Sequence, residues 1–256
     1  MNVALHPRRA VVRRLLTAVA AASALLALAG APASGRGAGP EPVEQLYGTA
    51  VREIPTSDRV VALTFNAAWN EEALDTVLTV LRRENAPATF FLTGDFAERH
   101  PAAARRIAAA GHGLGNHSHT HPHFGEITRE ERAREVTRAD TAIRRASGTE
   151  PLPFFRFPYG DTTPGQIDEV NALGFAVVEW TTDTNGYLGT AGGMTADKAV
   201  QRALDVLKPG AIIQMHVGSP NATPEVLDAE ALPRLITAIR TRGYEITDLR
   251  TSLPTG

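Results

Sequence analysis

The sequence predicts an α/β domain built on a parallel sheet, and two observations carry that expectation. Short apolar runs recur at 60–65, 88–93, 112–116, 154–157, 175–180, 211–216 and 244–249, and each of the first six is followed by a stretch with helical spacing. Alternation of this kind implies parallel strands joined by crossover helices, either closed into a barrel or doubly wound. The chain has 256 residues, 43% hydrophobic and 21% charged, enough for one domain with a substantial core.

In chain order, residues 1–33 read as a secretory signal peptide. Four arginines (Arg8, Arg9, Arg13, Arg14) precede the apolar run "LLTAVAAASALLALAGA", and "APA" at 31–33 offers small residues for cleavage. Secretion without stable membrane insertion is expected, by either a general or a twin-arginine route. The chain contains no cysteine, so its core or a metal must hold the fold. Residues 34–56, rich in Gly, Pro, Ala and Ser, read as a flexible linker, leaving 57–256 as the functional domain. Leu74, Val77, Leu78 and Leu81 share one helical face, and "TREE" at 128–131 is a capping box opening a long charged helix. "KPG" at 208–210 ends another helix before the sixth strand. Without the four N-terminal arginines the balance is 22 basic against 28 acidic residues, a net of −6, which argues against nucleic acid as a partner.

Parallel α/β folds bind ligands at the carboxyl ends of their strands. Those ends carry Asn66, the histidines 117 and 121, Arg156, Asp183 and His216. "NHSHTHPHF" holds histidines at 117, 119, 121 and 123, and imidazole pairs are a usual part of catalytic zinc sets. Alone, His216 reads equally as a core histidine, Arg156 and Asp183 as a structural ion pair, and "RFPYG" at 156–160 as a simple turn or as one that aims N–H groups at an oxyanion.

Together these motifs resemble the polysaccharide deacetylases with the NodB-homology domain, carbohydrate esterase family four, over about residues 57–250. "ALTFNAAW" stands where that family has Thr-Phe-Asp-Asp, "APATFFLTG" resembles its second strand, and "GHGLGNHSHTH" its metal-binding histidine motif. "RFPYG", "EWTTDT" and "IIQMH" match the arginine, aspartate and final histidine motifs. The resemblance implies a distorted (β/α) barrel of about seven parallel strands. It also implies hydrolysis of an acetyl group, N-acetyl foremost, on cell-wall or related glycans by a monomeric enzyme. A divalent metal, zinc first, would sit on His117 and His121, with His216 as general acid tuned by Asp183. Arg156 would orient residue 66, and Tyr159, Pro158 and Gln214 would lie at the substrate and oxyanion.

Five positions depart from the family pattern. The general-base aspartate is Asn66, and the metal-ligand aspartate is Ala67. Gln214 replaces a leucine that lines the acetyl pocket, and Gly186-Tyr187 stands for an aspartate-tryptophan pair. Loss of a general base costs about 10²–10⁴ in rate. Three remedies are available: Asn66, His119 or water as an added ligand; hydroxide attack with little assistance; or Glu71, Glu72 or Asp161 as base. The alternative outcome is a non-catalytic carbohydrate-binding pseudoenzyme that keeps the barrel.

Overall fold

The computed structural model describes residues 41–221 and 225–256. The signal-peptide segment lies outside them.

Each of the seven apolar runs contains a strand: β2 (Val60–Ala67), β3 (Thr89–Leu92), β4 (Gly113–Asn116), β5 (Phe154–Phe155), β6 (Ala176–Val178), β8 (Ala211–His216) and β9 (Glu245–Thr247). Two further two-residue strands, β1 (Ala50–Val51) and β7 (Thr182–Asp183), complete the sheet. Every ladder is parallel, in the order β1-β6-β5-β4-β3-β2-β8-β7. β9 runs beside the first half of β2 while β3 takes the second half. The chain passes from β6, near one edge, to β7 at the other edge across only Glu179–Thr181, so the two edges must lie close together. The sheet is therefore curled into a distorted half-barrel.

Strand alternation decides what faces where. Val61, Leu63 and Phe65 of β2, with Ala211, Ile213 and Met215 of β8, belong to the large core packed under the helices. Ala62 and Ile212 face the opposite way, into a smaller apolar cluster with Phe91, Phe154 and Val178. Further along that same inward face come Thr64 and Asn66 on β2 and Gln214 and His216 on β8, all buried. The barrel interior is thus apolar at its base and polar at its mouth.

The helices are α1 (Leu74–Arg83), α2 (Gly94–Arg99), α3 (Pro101–Ala109), α4 (Arg129–Ser147), α5 (Pro164–Asn171), α6 (Ala196–Asp205), α7 (Leu227–Thr241) and α8 (Leu249–Ser252). α1 buries Leu74, Val77 and Leu81, with Leu78 half-buried on the same side. α4 opens on the expected capping box: Glu131 N–H donates to Thr128 Oγ1, and Thr128 N–H to Glu131 Oε2. Among the described residues no helix is long and apolar enough to cross a membrane.

The expected linker requires correction over residues 41–56. Val43, Leu46 and Ile54 are buried in the inner cluster, β1 extends the sheet, and Ile54 N–H donates to Gly210 O at 2.7 Å. The Gly/Pro/Ala composition of the region concealed three apolar anchors.

Candidate active site

Register brings the polar residues together. Asn66 of β2 lies beside His216 of β8, and Gln214 beside Asp183 of β7. Leu92 of β3 aligns with Asn116 of β4, which places His117 at the same level. The mouth holds a cleft of about 340 Å³ whose polar lining is Asn66, His117, His121, Asp183, Gln214 and His216. Its aromatic lining is Trp69, Phe157, Tyr159, Trp180 and Tyr187.

Arg156 is the largest fully buried side chain and organises the floor. Its guanidinium donates to Val178 O, Glu179 O, Thr64 Oγ1 and Asn66 Oδ1, each at 3.0 Å. It also lies over the Phe91 ring at 3.9 Å. Burial pulls its pKa down to about 9, against the opposing pull of Glu179 and then Asp183. The neighbouring acid is Glu179, whose Oε1 accepts from Phe157 N–H at 3.2 Å. Burial pushes the Glu179 carboxyl up to about 7, although Arg156 draws it back. Because a guanidinium only donates, the oxygen of Asn66 must face Arg156, and its NH₂ is the group left for the cleft.

The two motif histidines fit a cation. His117 donates from Nδ1 to Arg156 O at 2.8 Å, which leaves Nε2 with a free lone pair, the usual preparation of a metal-binding imidazole. Burial, then His121, holds His117 well below its ordinary pKa. Burial, chiefly, brings His121 to about 4. Both rings are therefore neutral at pH 7, with centroids 4.8 Å apart. Ala67 is fully buried and offers no donor, so the protein supplies two nitrogens and no carboxylate of the first motif.

His216 presents its ring beside Tyr187 (4.4 Å between centroids) and Trp69 (6.4 Å). Its Nδ1 lies 3.8 Å from Asp183 Oδ1 and 3.8 Å from Asp228 Oδ2. Gln214 Nε2 donates to Asp183 Oδ2 at 2.8 Å, so the glutamine braces the aspartate. Tyr159 takes the left-handed φ of 61° and is 53% exposed, stacked on His123 at 3.8 Å. Pro158 is buried and does not line the cleft; it shapes the turn and makes no contact surface for a ligand there.

The loop after β2 carries Trp69 and is fastened from two sides. Arg99 donates to the carbonyls of Trp69 (3.1 Å) and Ala68 (3.2 Å), and Asn70 Nδ2 donates to Ser219 O at 2.7 Å. Of the remedies for the missing carboxylates, those that call on His119, Glu71, Glu72 or Asp161 find these side chains outside the cleft lining. His119 Nε2 faces Asp95 (3.4 Å) and Glu98 (3.9 Å), away from the cleft lining, and it already accepts from Arg138 Nη2 at 2.9 Å. That cluster of Asp95, Glu98 and His119 is compensated by a guanidinium and does not contribute to the cleft. Glu71 bonds His100 at 3.3 Å, Asp161 lies 3.6 Å from His123, and neither they nor Glu72 line the cleft. Asp183 is the only carboxylate among the described lining residues. Trp69, Glu179 and Asp228 are participants that sequence reasoning missed, and Tyr187 entered it only as a departure from the family pattern.

The family resemblance expected from the motifs is tested by comparison with known proteins. Residues 53–178 match the family described as Polysaccharide deacetylase. The chain is 30% identical over 195 residues to a peptidoglycan-N-acetylglucosamine deacetylase of Bacillus cereus, covering 76% of this chain and 68% of that one. It is 34% identical over 199 residues to a chitooligosaccharide deacetylase of Bradyrhizobium, covering 75% and 89%. A solved peptidoglycan N-acetylglucosamine deacetylase in complex with 4-naphthalen-1-yl-N-oxidanyl-benzamide superposes with a TM-score of 0.74 at 28% identity, covering 83% and 95%. A pseudoenzyme of carbohydrate esterase family four from Bacillus anthracis superposes with a TM-score of 0.73 at 26% identity, covering 82% and 70%, and a mutant of it is described as having restored enzymatic activity. The chain belongs to the polysaccharide deacetylase family, carbohydrate esterase family four.

Proposed function

We propose that the chain is a secreted, zinc-dependent deacetylase of N-acetylated glycans whose turnover is slow because residue 66 cannot accept a proton. The convergence of His117, His121, Asp183 and His216 on one aromatic-walled cleft carries this reading. The relatives' activity on peptidoglycan and chitooligosaccharides supports an amino-sugar polymer. The N-terminal signal pattern supports export, to the medium or the cell wall.

His117 and His121 would hold the cation, which supplies Lewis-acid polarisation of the acetyl carbonyl and acidifies water. The chain's own residues then divide the remaining work. Trp69 and Tyr187, stacked with centroids 6.0 Å apart, offer an apolar face to a sugar ring. Arg156 fixes Asn66, whose NH₂ donates into the cleft. His216 gives its Nε2 proton to the departing nitrogen as the C–N bond breaks, and Asp183 steadies the ring. Without a carboxylate at 66, removal of the water proton receives no dedicated acceptor, and the rate suffers accordingly.

A second reading, glycan binding without turnover, is favoured by one observation: both first-motif carboxylates are absent, and Arg156 turns the Asn66 amide so that it donates. Zinc analysis and acetate release from N-acetylated oligosaccharides separate the two. We expect up to one zinc per chain, lost in His117→Ala, and slow acetate release abolished in His216→Ala. Saturable oligosaccharide binding with no acetate from zinc-loaded protein establishes the second reading. No zinc after loading ends the metal assignment.

A further inference from the structure

His216 has two carboxylate neighbours, and the sequence motifs account for only one. Asp228 stands in the first turn of α7 with its side chain fully buried. Thr184 Oγ1 donates to its Oδ1 at 2.5 Å, and the backbone N–H of His216 donates to its Oδ2 at 2.9 Å. Among the described residues no Lys or Arg pairs with it; its one basic neighbour is the His216 ring. A carboxylate withdrawn from water needs a compensating partner, and here the imidazole is the available one.

The ring has the complementary need. His216 Nδ1 is buried with no hydrogen-bond partner, although carboxylate oxygens of Asp183 and Asp228 lie 3.8 Å away on either count. An unsatisfied buried donor is costly, which favours closing the gap to one of these two carboxylates. Each carboxylate already accepts two hydrogen bonds, Asp183 from Asn185 N–H (2.8 Å) and Gln214 Nε2 (2.8 Å), but the Asp183 side chain is 15% exposed whereas that of Asp228 is fully buried. Asp228 meets the ring in a drier setting, where an ionic hydrogen bond is stronger.

Space for Asp228 comes from Gly186. A Cβ on residue 186 would stand 2.3 Å from Asp228 Oδ1 and 2.4 Å from its Cγ. With no side chain at 186, the volume there is taken by the Asp228 carboxylate from α7.

The geometry points to Asp228 as a positioning residue for His216: a second, buried carboxylate that keeps the proton on Nδ1 and leaves Nε2 for the cleft. In the hydrolytic step Nε2 first takes a proton from solvent, giving an imidazolium whose Nδ1–H stays with the carboxylates; Nε2–H then passes that proton to the leaving nitrogen and the ring returns to the neutral Nδ1–H form. The kinetic consequence rests on the deacetylase reading; the tautomer assignment does not.

Isotope-labelled histidine NMR on zinc-loaded full domain reads the tautomer directly. Wild type is expected to show His216 as a single Nδ1–H tautomer. Asp228→Asn, which keeps the shape and can still accept from Thr184, is expected to give a tautomer mixture, together with a fall in kcat of about tenfold and KM within about twofold. If that variant fails to fold, Gly186→Ala displaces the carboxylate from the other side and is expected to give the same mixture. Unchanged His216 ring signals in a folded variant of either kind overturn the assignment and leave Asp228 as a brace for Thr184 and α7. If wild type releases no acetate, the deacetylase reading fails on that ground, while the NMR result still decides the role of Asp228.

Discussion

Asn66→Asp tests the chemistry most directly. Arg156 Nη1 donates to Asn66 Oδ1 at 3.0 Å, and aspartate has the same shape, so one oxygen inherits that bond and the other replaces the NH₂ facing the cleft. The inherited bond becomes charge-assisted and roughly doubles in strength, which offsets the desolvation of a carboxylate at a site only 5% exposed. The new oxygen can accept the water proton. General-base assistance contributes about 10²–10⁴ in rate, equivalent to roughly 2.7–5.4 kcal/mol off the barrier. Acetate release by zinc-loaded wild type and variant, measured across oligosaccharide concentration, separates kcat from KM. We expect kcat to rise by at least about 10² with KM little changed. A variant that folds, holds zinc as wild type does and shows no gain in kcat would refute the argument that residue 66 limits turnover.

Three further outcomes follow from the same geometry. Glu179→Ala removes the oxygen that accepts from Phe157 N–H at 3.2 Å and leaves that buried donor unpaired, which is expected to cost about 1–3 kcal/mol, a fall in Tm of roughly 2–12 °C by calorimetry; Glu179→Gln, which preserves the Phe157 contact, costs less, and equal melting of Ala and Gln variants contradicts that account. His121 has its pKa lowered from 6.5 to about 4. The folded state therefore binds fewer protons than the unfolded state between those values, and metal-free stability falls as pH drops through that window, by roughly 3 kcal/mol from this ring. Urea titrations of stripped protein at pH 7 and pH 5 measure the slope, which flattens in His121→Gln if the ring is its source. Trp69→Ala removes a stacking face and is expected to raise KM about five- to tenfold, with kcat nearly constant; a drop confined to kcat would place Trp69 in proton transfer through its His216 contact instead of in sugar binding.

Much of the site was legible because several of the strands end their apolar runs in a polar residue. Asn66, His117, Arg156 and His216 announce themselves by sitting where hydrophobic spacing stops, and parallel topology then gathers such ends at one rim. Asp228 carried no such signal, since an acid in the first turn of an amphipathic helix ordinarily serves the helix dipole. Glu179 sits inside "VVEWTT", where alternation suggests an outward strand position; its burial arises only because the barrel closes over Arg156. Trp69 follows a strand end without periodic context, so only the cleft reveals it. Residues 41–56 misled because composition reports backbone freedom averaged over a segment, whereas Val43, Leu46 and Ile54 act one at a time.

The tethering of the Trp69 loop by Arg99 and Asn70 bears on how a ligand would be received. Its carbonyls and amide are already committed, so the indole occupies its station before any sugar arrives, and little segmental freedom is left to forfeit on association. Capture at this face then resembles filling a fixed slot, and dissociation is governed by the stacking contact itself.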